Sequence, residues 1–400
     1  MSARAAGVEQ LRPANAAEAA RALAAAAGAG RSVRVTGAGT KRGWGHVVAQ
    51  AGVELSTAGL DEIVEHNEGD LTAVLGTGVT LARAQATFAR AGQMLAVDPP
   101  LGAAVDATLG ADGGATIGGT VATADSGPYR HRYHALRDLV IGVAVALPDG
   151  SVARAGGKVI KNVAGYDLAK LMTGAFGTLG VICEVSLRLH PRPVSTATAH
   201  APGDDPALLA GVASALARRP LEPLALDLDW QRGGGAVLAR FGGRTAAEQA
   251  AGAAQIMRQA GLQSATVVED DEPLWERQRA GQRAASEGAV VRVAATPRRL
   301  ADVLEAGAAI GARVVARGAI GSAWVRLPGA QPAQLVAAVE RLRTRLAPSP
   351  ATVLDAPEAV RAALDPWGAL QPAAVELMRR VKARFDPQGT CNRGLFIGGI

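Results

Sequence analysis

Apolar positions recur at helical spacing from Asn15 to Ala27, and Asn15 followed by Glu18 predicts a capping box at the start of that helix. An alternating run, Ser32 to Thr36, then predicts a strand that ends in a glycine-rich turn, Gly37-Ala38-Gly39-Thr40-Lys41-Arg42-Gly43. Further strands are predicted at Val53 to Ser56, Ile63 to His66 and Leu71 to Leu75, with a helix from Thr80 to Ala91. The stretch from Asp98 to Tyr133 reads as loop. Leu139 to Leu147 turns at Pro148-Asp149-Gly150 into Ser151 to Ala155, the signature of a hairpin. A strand from Val181 to Leu189 ends at Pro191-Arg192-Pro193, a natural domain edge.

Beyond Val194 the pattern changes. Helical stretches (206–218, 246–260, 297–310, 332–346) alternate with strands (224–228, 236–241, 290–293, 323–327). Alternation of this kind predicts an α+β unit, an antiparallel sheet with helices on one face. A last helix, Ala373 to Phe385, precedes a compact tail. The expected division is 1–193, 194–370 and 371–400.

Composition narrows the function. With 400 residues, 48% hydrophobic and 20% charged, the chain reads as a soluble globular protein that buries a sizeable core. No run is apolar enough to span a membrane, and Met1 to Pro13 lacks the apolar core of a secretory signal, so a cytoplasmic location is expected. Two cysteines, Cys183 and Cys391, rule out a disulfide framework or an iron–sulfur cluster held by this chain alone. The net charge of +6 is spread along a chain with only 3% aromatic residues, a poor footprint for nucleic acid. An anionic ligand or an acidic partner protein accounts for the same excess.

Three phosphate-binding readings compete for the turn at 37–43. The P-loop spacing is absent. The dinucleotide fingerprint needs a helix straight after the turn, and Trp44-Gly45-His46-Val47-Val48 has neither cap nor helical period. A nest, in which successive backbone N–H groups converge on an anion, survives beside the plain alternative of a strand-ending turn. Gly37 and Gly39 would permit positive φ, Ala38 is small, and Lys41 or Arg42 could add charge. Two more small-residue runs follow. One is Thr116-Ile117-Gly118-Gly119-Thr120-Val121-Ala122-Thr123, continuing to Ser126-Gly127-Pro128-Tyr129-Arg130; the other is Gly174-Ala175-Phe176-Gly177-Thr178-Leu179-Gly180-Val181. Three such loops suit a long ligand with its diphosphate against backbone.

This ordered set resembles the FAD-binding domain of the vanillyl-alcohol oxidase/para-cresol methylhydroxylase (PCMH) flavoproteins. Gly157-Lys158-Val159-Ile160-Lys161-Asn162-Val163-Ala164-Gly165-Tyr166-Asp167-Leu168 is similar, within them, to the FAD-binding subunit of bacterial glycolate oxidase. The resemblance covers Gln10 to Pro193 strongly, and Leu274-Trp275 and the tail from Phe385 to Gly394 more weakly. It implies a PCMH-type two-subdomain FAD-binding domain followed by an α+β cap. It places Thr36, Gly37, Ala38, Gly39, Thr40 and Lys41 around the FAD pyrophosphate. Thr116, Gly118, Gly119, Ala122, Thr123, Ser126, Gly127 and Tyr129 should line the pyrophosphate, ribityl chain and flavin. Gly180 and Val181 should offer backbone groups, Pro99 within Asp98-Pro99-Pro100-Leu101-Gly102 should border the cleft, and Asn392 should fold back toward the flavin. The first loop has no histidine or cysteine, so the FAD is expected to be non-covalent.

Hydroxyacid oxidation on a flavin needs a cation for the carboxylate and a hydride path to the flavin. The histidine cluster of D-2-hydroxyacid-oxidising relatives is missing, because no histidine follows His200. His131 and His134 stand three apart beside the flavin segment, as flavin-side donors or as loop packing, and no metal site is expected. Lys161 and Asn162 are candidates to sit near the isoalloxazine ring. Arg279 (or its neighbour Arg277) and Arg292 are candidates to clamp a carboxylate. The resemblance implies an FAD-dependent oxidoreductase subunit of a glycolate or 2-hydroxyacid dehydrogenase complex. A sister flavin subunit would oxidise the substrate and an iron–sulfur subunit would carry the electrons onward, the whole peripheral to the inner membrane through those partners. The alternatives are a stand-alone FAD-dependent oxidoreductase and a flavin-free scaffold.

Overall fold

The computed structural model describes residues 8–100, 114–158, 166–231, 233–284, 288–329 and 331–400. Near the N-terminus, a three-stranded parallel sheet is ordered Glu9–Leu11, Val53–Ser56, Val33–Thr36. The helix Ala16–Gly28 covers it. Asn15 Oδ1 accepts from the Glu18 N–H at 2.9 Å, and Glu18 Oε2 accepts from the Ala14 N–H at 2.8 Å, so the first turn is capped as the spacing predicts. Ala19, Ala20, Leu23 and Ala26 pack against Val33, Val53 and Leu55; the run of alanines lets the helix lie close to the sheet.

A five-stranded antiparallel sheet follows, ordered Ile63–Asn67, Thr72–Gly76, Val181–Arg188, Val140–Ala146, Val152–Gly156. Its hairpin closes at Gly150, where φ is 87°, and Asp149 Oδ1 accepts from the Ser151 N–H at 2.9 Å. The region read as loop carries a helix, Ile117–Thr123. Its glycines hide it in the sequence, since glycine is a poor helix former. Thr116 caps it, its Oγ1 accepting from the Gly119 N–H at 3.1 Å. Gly118 is required by packing: a Cβ there would lie 2.6 Å from Thr77 Cβ and 2.9 Å from the Thr77 carbonyl oxygen.

The third sheet has eight antiparallel strands, ordered Thr266–Val268, Thr196–Gly203, Gly234–Gly242, Ala225–Gln231, Arg313–Arg317, Ser322–Leu327, Ala289–Ala294, Ala351–Asp355. Because side chains alternate along each strand, the two faces differ. One face (Leu226, Leu228, Val237, Ala239, Val291, Val314, Val325) packs under the helices Pro206–Leu216, Ala246–Gln259, Leu300–Ala308 and Pro332–Leu346. The other turns toward the flavin-type half and carries Thr198, Arg240, Asp227, Arg317, Trp324 and Arg292. The α+β architecture with helices on one face is as expected. Four of the eight strands, 196–203, 266–268, 313–317 and 351–355, are additions to the sequence reading.

The chain closes back on its beginning. After the helix Pro372–Phe385, Asp386 accepts from the N–H groups of Thr390 (2.8 Å) and Cys391 (2.7 Å) and pairs with Lys382 Nζ at 2.6 Å. Lys382 Nζ also donates to the carbonyls of Thr178 and Cys391. This knot lays Cys391 beside Val33 as a parallel bridge at the root of the first glycine turn. Both thiols are buried, and burial pushes Cys183 to about 11 and Cys391 to about 12, so neither has the accessible, electropositive setting of a reactive thiol.

Candidate functional site

The first turn sits at the C-terminal end of the strand Val33–Thr36, and its own geometry marks it as a site. The backbone N–H groups of Gly37, Ala38, Gly39, Thr40 and Lys41 donate no hydrogen bond to any described residue, nor does that of Gly43, whereas those of Arg42 and Trp44 are satisfied within the turn. Half-buried amides with no protein partner are free to bond water or an anion, and five in succession from one turn make a candidate anion nest. Their residues line an open cleft whose other walls include Thr57, Thr116, Gly118, Gly119, Ala122, Thr123, Phe176, Gly180 and Ile182. The three small-residue runs therefore do converge.

Three contacts hold the turn in this shape. From the tail, Asn392 Oδ1 accepts from the Val35 N–H at 2.9 Å while its Nδ2 donates to the Phe176 carbonyl at 2.7 Å. From the cap, Trp44 is buried among Val290, Val315, Trp324 and Leu354, its Nε1 donating to Asp355 Oδ1 at 2.7 Å. Arg283, also paired with Asp355, donates to the Thr40 carbonyl at 3.2 Å. At the second run, Gly37 lies so close to Thr116 that a Cβ would sit 2.2 Å from Thr116 Oγ1.

Charge enters through Lys41. Its side chain is 6% exposed, its Nζ lies 3.3 Å from Asp125 Oδ2, and it makes no hydrogen bond of good geometry. Burial lowers its pKa against the pull of Asp125. A cation held at the end of five free amides fits a diphosphate. The row of backbone donors on a cleft walled by small residues suits a diphosphate held against the backbone.

Of the residues singled out from the sequence, Thr36, Gly37, Ala38, Gly39, Thr40, Lys41, Thr116, Gly118, Gly119, Ala122, Thr123, Gly180 and Asn392 line this cleft. Asn392 has both amide atoms bound to backbone, so it ties the turn in place. Val181 is fully buried in the N-terminal core beside Ala19 and Leu23, and the alternation of the strand gives the cleft wall to Ile182 instead. Ser126 and Gly127 stand in the wall between this cleft and a second one: the Ser126 carbonyl accepts from Gln282 Nε2 at 2.9 Å, and a Cβ at Gly127 would lie 1.7 Å from the Asp98 carbonyl oxygen. Arg42, foreseen as an added charge, lines the cleft too, as do Phe176 and Gly177 of the third run; Arg34, Val35, Trp44, Thr57 and Leu395 line it and were not foreseen.

The second cleft, about 1720 Å³, opens at the domain seam and contains Asp98, Pro99, Tyr129, Arg240 and Arg279. Pro99 and Tyr129 thus border this cleft and not the amide-lined one, because Gly127 packs the Asp98 backbone onto the far side of the Ser126–Tyr129 wall. Arg279 is ion-paired with Glu272, which also binds Arg240, and its Nη1 is 4.0 Å from Asp98 Oδ2. That pairing leaves it poorly suited to clamp a free carboxylate. Arg292 is different. It stands opposite Trp324 across two strands, its guanidinium 5.9 Å from the indole centroid, and its Nε has no partner. Lys161, Asn162, Leu101 and Gly102 lie outside the described residues.

Asp98 makes a pH prediction. Its Oδ1 accepts from the Tyr129 N–H at 2.9 Å, and its Oδ2 has no partner. Burial pushes its carboxyl up to about 7, against the opposing pull of Arg279. A carboxyl whose folded pKa exceeds its unfolded value of about 4 holds its proton longer in the native state. Stability is therefore highest below pH ~4 for this group and falls as pH rises toward 7. Asp98→Asn is expected to flatten that fall, which urea unfolding at pH 4.5 and 7.5 (values chosen to straddle the window) measures as a smaller difference than in the parent.

Comparison with known proteins agrees with this geometry. Residues 10–156 match the family described as FAD binding domain, and residues 368–395 match the family described as FAD linked oxidases, C-terminal domain. Over 131 residues the chain is 37% identical to glycolate oxidase subunit GlcE of Escherichia coli (strain K12), covering 33% of this chain and 35% of that protein. It is 33% identical over 163 residues to glycolate oxidase subunit GlcD of Bacillus subtilis (strain 168), covering 40% and 32%. It is 34% identical over 160 residues to D-lactate dehydrogenase of Archaeoglobus fulgidus, covering 40% and 33%. The matched part spans about a third of each relative's own length. Among solved structures, alkyldihydroxyacetonephosphate synthase superposes with a TM-score of 0.65 at 14% identity, covering 96% of this chain and 76% of that one. Chitooligosaccharide oxidase gives 0.64 at 16% identity, covering 96% and 90%. The fold is shared with these structures. The chain carries an FAD binding domain, and the cofactor indicated is FAD.

Proposed function

We propose that this FAD-binding chain is a subunit of a glycolate- or 2-hydroxyacid-oxidising dehydrogenase, working beside a sister flavin subunit and an iron–sulfur subunit. The observation that carries the cofactor part is the row of five free amides from Gly37 to Lys41. Names printed for the relatives, glycolate oxidase subunits and D-lactate dehydrogenase, support the substrate part. No helix among the described residues is long and apolar enough to cross a membrane, so membrane association would come through partners.

Bound FAD would supply a two-electron acceptor for the hydride on the carbinol carbon of a hydroxyacid. The chain's own residues bind and orient. The amides of 37–41 hold the pyrophosphate, while Lys41 at the end of the row is paired with Asp125. Gly37 packs on Thr116 and Gly118 on Thr77, which sets the walls of the cleft. Asn392, Trp44 and Arg283 fix the turn before the cofactor arrives, so little ordering is left for binding to meet. Arg292 presents a guanidinium to a substrate carboxylate at the seam, a fork-to-fork contact for which arginine is suited. Lys161 and Asn162 remain candidates for the flavin side.

The test is the visible spectrum of the purified chain after incubation with FAD, followed by anaerobic addition of glycolate or D-lactate. A yellow protein is expected, whose flavin is released by acid and which bleaches fully only when partner subunits are restored. Bleaching by the chain alone would favour a stand-alone oxidoreductase. A colourless chain that FAD cannot load would leave a scaffold.

A further inference from the structure

Resting on the FAD reading above, we propose that Thr57 is a specificity-determining residue of the amide-lined cleft: its hydroxyl hydrogen-bonds a ribose hydroxyl of the adenosine half, and so favours a dinucleotide over a flavin mononucleotide. Thr57 follows the strand Val53–Ser56 and opens the short helical turn Thr57–Gly59. That turn is closed without its side chain: Ser56 Oγ accepts from the Ala58 N–H at 3.3 Å, and the Thr57 carbonyl accepts from the Leu60 N–H at 2.9 Å. Thr57 lines the cleft and is only 5% exposed, yet its Oγ1 has no hydrogen-bond partner among the described residues. A buried hydroxyl left in that state costs stability until something completes it. Other threonines of the cleft differ, since Thr116 Oγ1 accepts from the Gly119 N–H and Thr123 Oγ1 donates to the Gly119 carbonyl.

Strand register indicates which part of a ligand meets this hydroxyl. Parallel pairing sets Thr36 opposite Ser56, so Thr57 is the next residue on its strand, as Gly37, first of the free amides, is on the other. Neighbouring strands lie about 4.8 Å apart. A phosphate held at Gly37 therefore brings the sugar it esterifies, and not the more distant base, within reach of Thr57. A Cβ on Gly78 would lie 2.1 Å from the Thr57 carbonyl oxygen, and Thr77 Oγ1 donates to the Ile182 carbonyl at 2.7 Å, so the FAD-binding half alone builds the wall behind Thr57. At the other end of the amide row the cap arrives, with Arg283 donating to the Thr40 carbonyl at 3.2 Å. A flavin ring that serves a substrate at the seam lies beyond that second end, which leaves the adenosine for Thr57. Rotation about Cα–Cβ exchanges the threonine hydroxyl and methyl between staggered positions and turns the hydroxyl to a ligand in the cleft.

The test is calorimetric titration of the flavin-free chain, and of its Thr57→Val and Thr57→Ser variants, with FAD, FMN, ADP, 2′-deoxy-ADP and 3′-deoxy-ADP. Thr57→Val should weaken FAD and ADP about tenfold and leave FMN within about twofold. It should leave unchanged the affinity of whichever deoxynucleotide lacks the partner hydroxyl. Thr57→Ser, which keeps the hydroxyl, should hold FAD within about threefold of the parent. Urea unfolding of the flavin-free Thr57→Val chain should show a midpoint at or above the parent's, because the orphaned hydroxyl is gone. A lower midpoint gives the hydroxyl a structural partner and overturns the proposal. So does a Thr57→Val loss shared by FMN, or one that is equal for ADP and both deoxynucleotides. A chain that takes ADP but no flavin, and loses ADP on Thr57→Val, defeats the flavin reading and keeps the ribose contact; tight FAD binding indifferent to Thr57→Val does the reverse.

Discussion

Gly37→Ala is expected to weaken FAD binding by at least about a hundredfold, equivalent to roughly 2.7 kcal/mol. The new methyl carbon would sit 2.2 Å from Thr116 Oγ1 and 3.3 Å from both Thr116 carbons. Thr116 is buried and its hydroxyl caps the helix Ile117–Thr123, so it cannot rotate away without freeing the Gly119 N–H. The first turn must move instead, and the five amides lose their common focus. Gly43→Ala, in the same glycine-rich turn, is the control. A Cβ there meets nothing within 4 Å, and FAD affinity is expected to stay within about twofold of the parent. Fluorescence quenching of FAD on titration with each protein measures both. Equal affinities for the two variants would separate the turn's geometry from cofactor binding.

Arg317→Met is expected to destabilise the fold by about 3–5 kcal/mol. Arg317 and Asp227 are both fully buried and stand directly opposite each other on neighbouring strands, 2.5 Å apart. Burial already pushes Asp227 up to about 6 despite Arg317 and the hydrogen bond from Gln278 Nε2 at 3.0 Å. Removing the guanidinium leaves that carboxylate uncompensated. The sign with pH follows: with its folded pKa raised further, Asp227 costs most where the unfolded state is ionised, so the loss is larger at pH 8 than at pH 4. Arg317→Met with Asp227→Leu should recover most of the loss, since an apolar pair of similar volume is tolerated where a broken ion pair is not. Chemical denaturation of the three variants decides this; a single variant as stable as the parent would mean that the pair contributes nothing.

The sequence makes the FAD-binding half legible and much of the cap obscure, for different physical reasons. Strands such as Val53–Ser56 and Val140–Ala146 carry β-branched residues in simple runs, and the helix Ala16–Gly28 announces itself through Asn15 and Glu18. The helix Ile117–Thr123 does not, because Gly118 and Gly119 serve close packing against Thr77 and the Thr116 cap at the cost of helix propensity. In the cap, the strand Arg313–Arg317 begins and ends in arginine and reads as exposed, yet Arg317 has no solvent exposure at all. A fully buried arginine contradicts every hydropathy rule unless its partner is known, and Asp227 lies ninety residues away along the chain. Thr196–Gly203 is built of threonine and alanine, too weakly apolar to stand out.

At the site, the backbone function of the first turn follows from its glycines and from what comes after it, whereas the side chains that hold it do not. Arg283 and Asp355 pair within the cap, and Trp44 reaches Asp355 only through the packing of cap on FAD-binding half. Pro99 and Tyr129 follow the flavin motif in order but fall on the far side of a wall that one missing Cβ, at Gly127, permits. Arg279 and Arg292 are equally plausible from sequence. Glu272, seven residues before Arg279 on the same helix, occupies one of them and leaves the other free.

The central claim is that main-chain amides of the first turn hold a pyrophosphate, and comparison of FAD with riboflavin measures it most directly. Both carry the same ring system, and only FAD has the diphosphate. Titration of the flavin-free chain should give FAD at least about a thousandfold tighter than riboflavin, roughly 4 kcal/mol, with ADP competing for the FAD site. Riboflavin binding as tightly as FAD, with ADP unable to compete, would contradict the account.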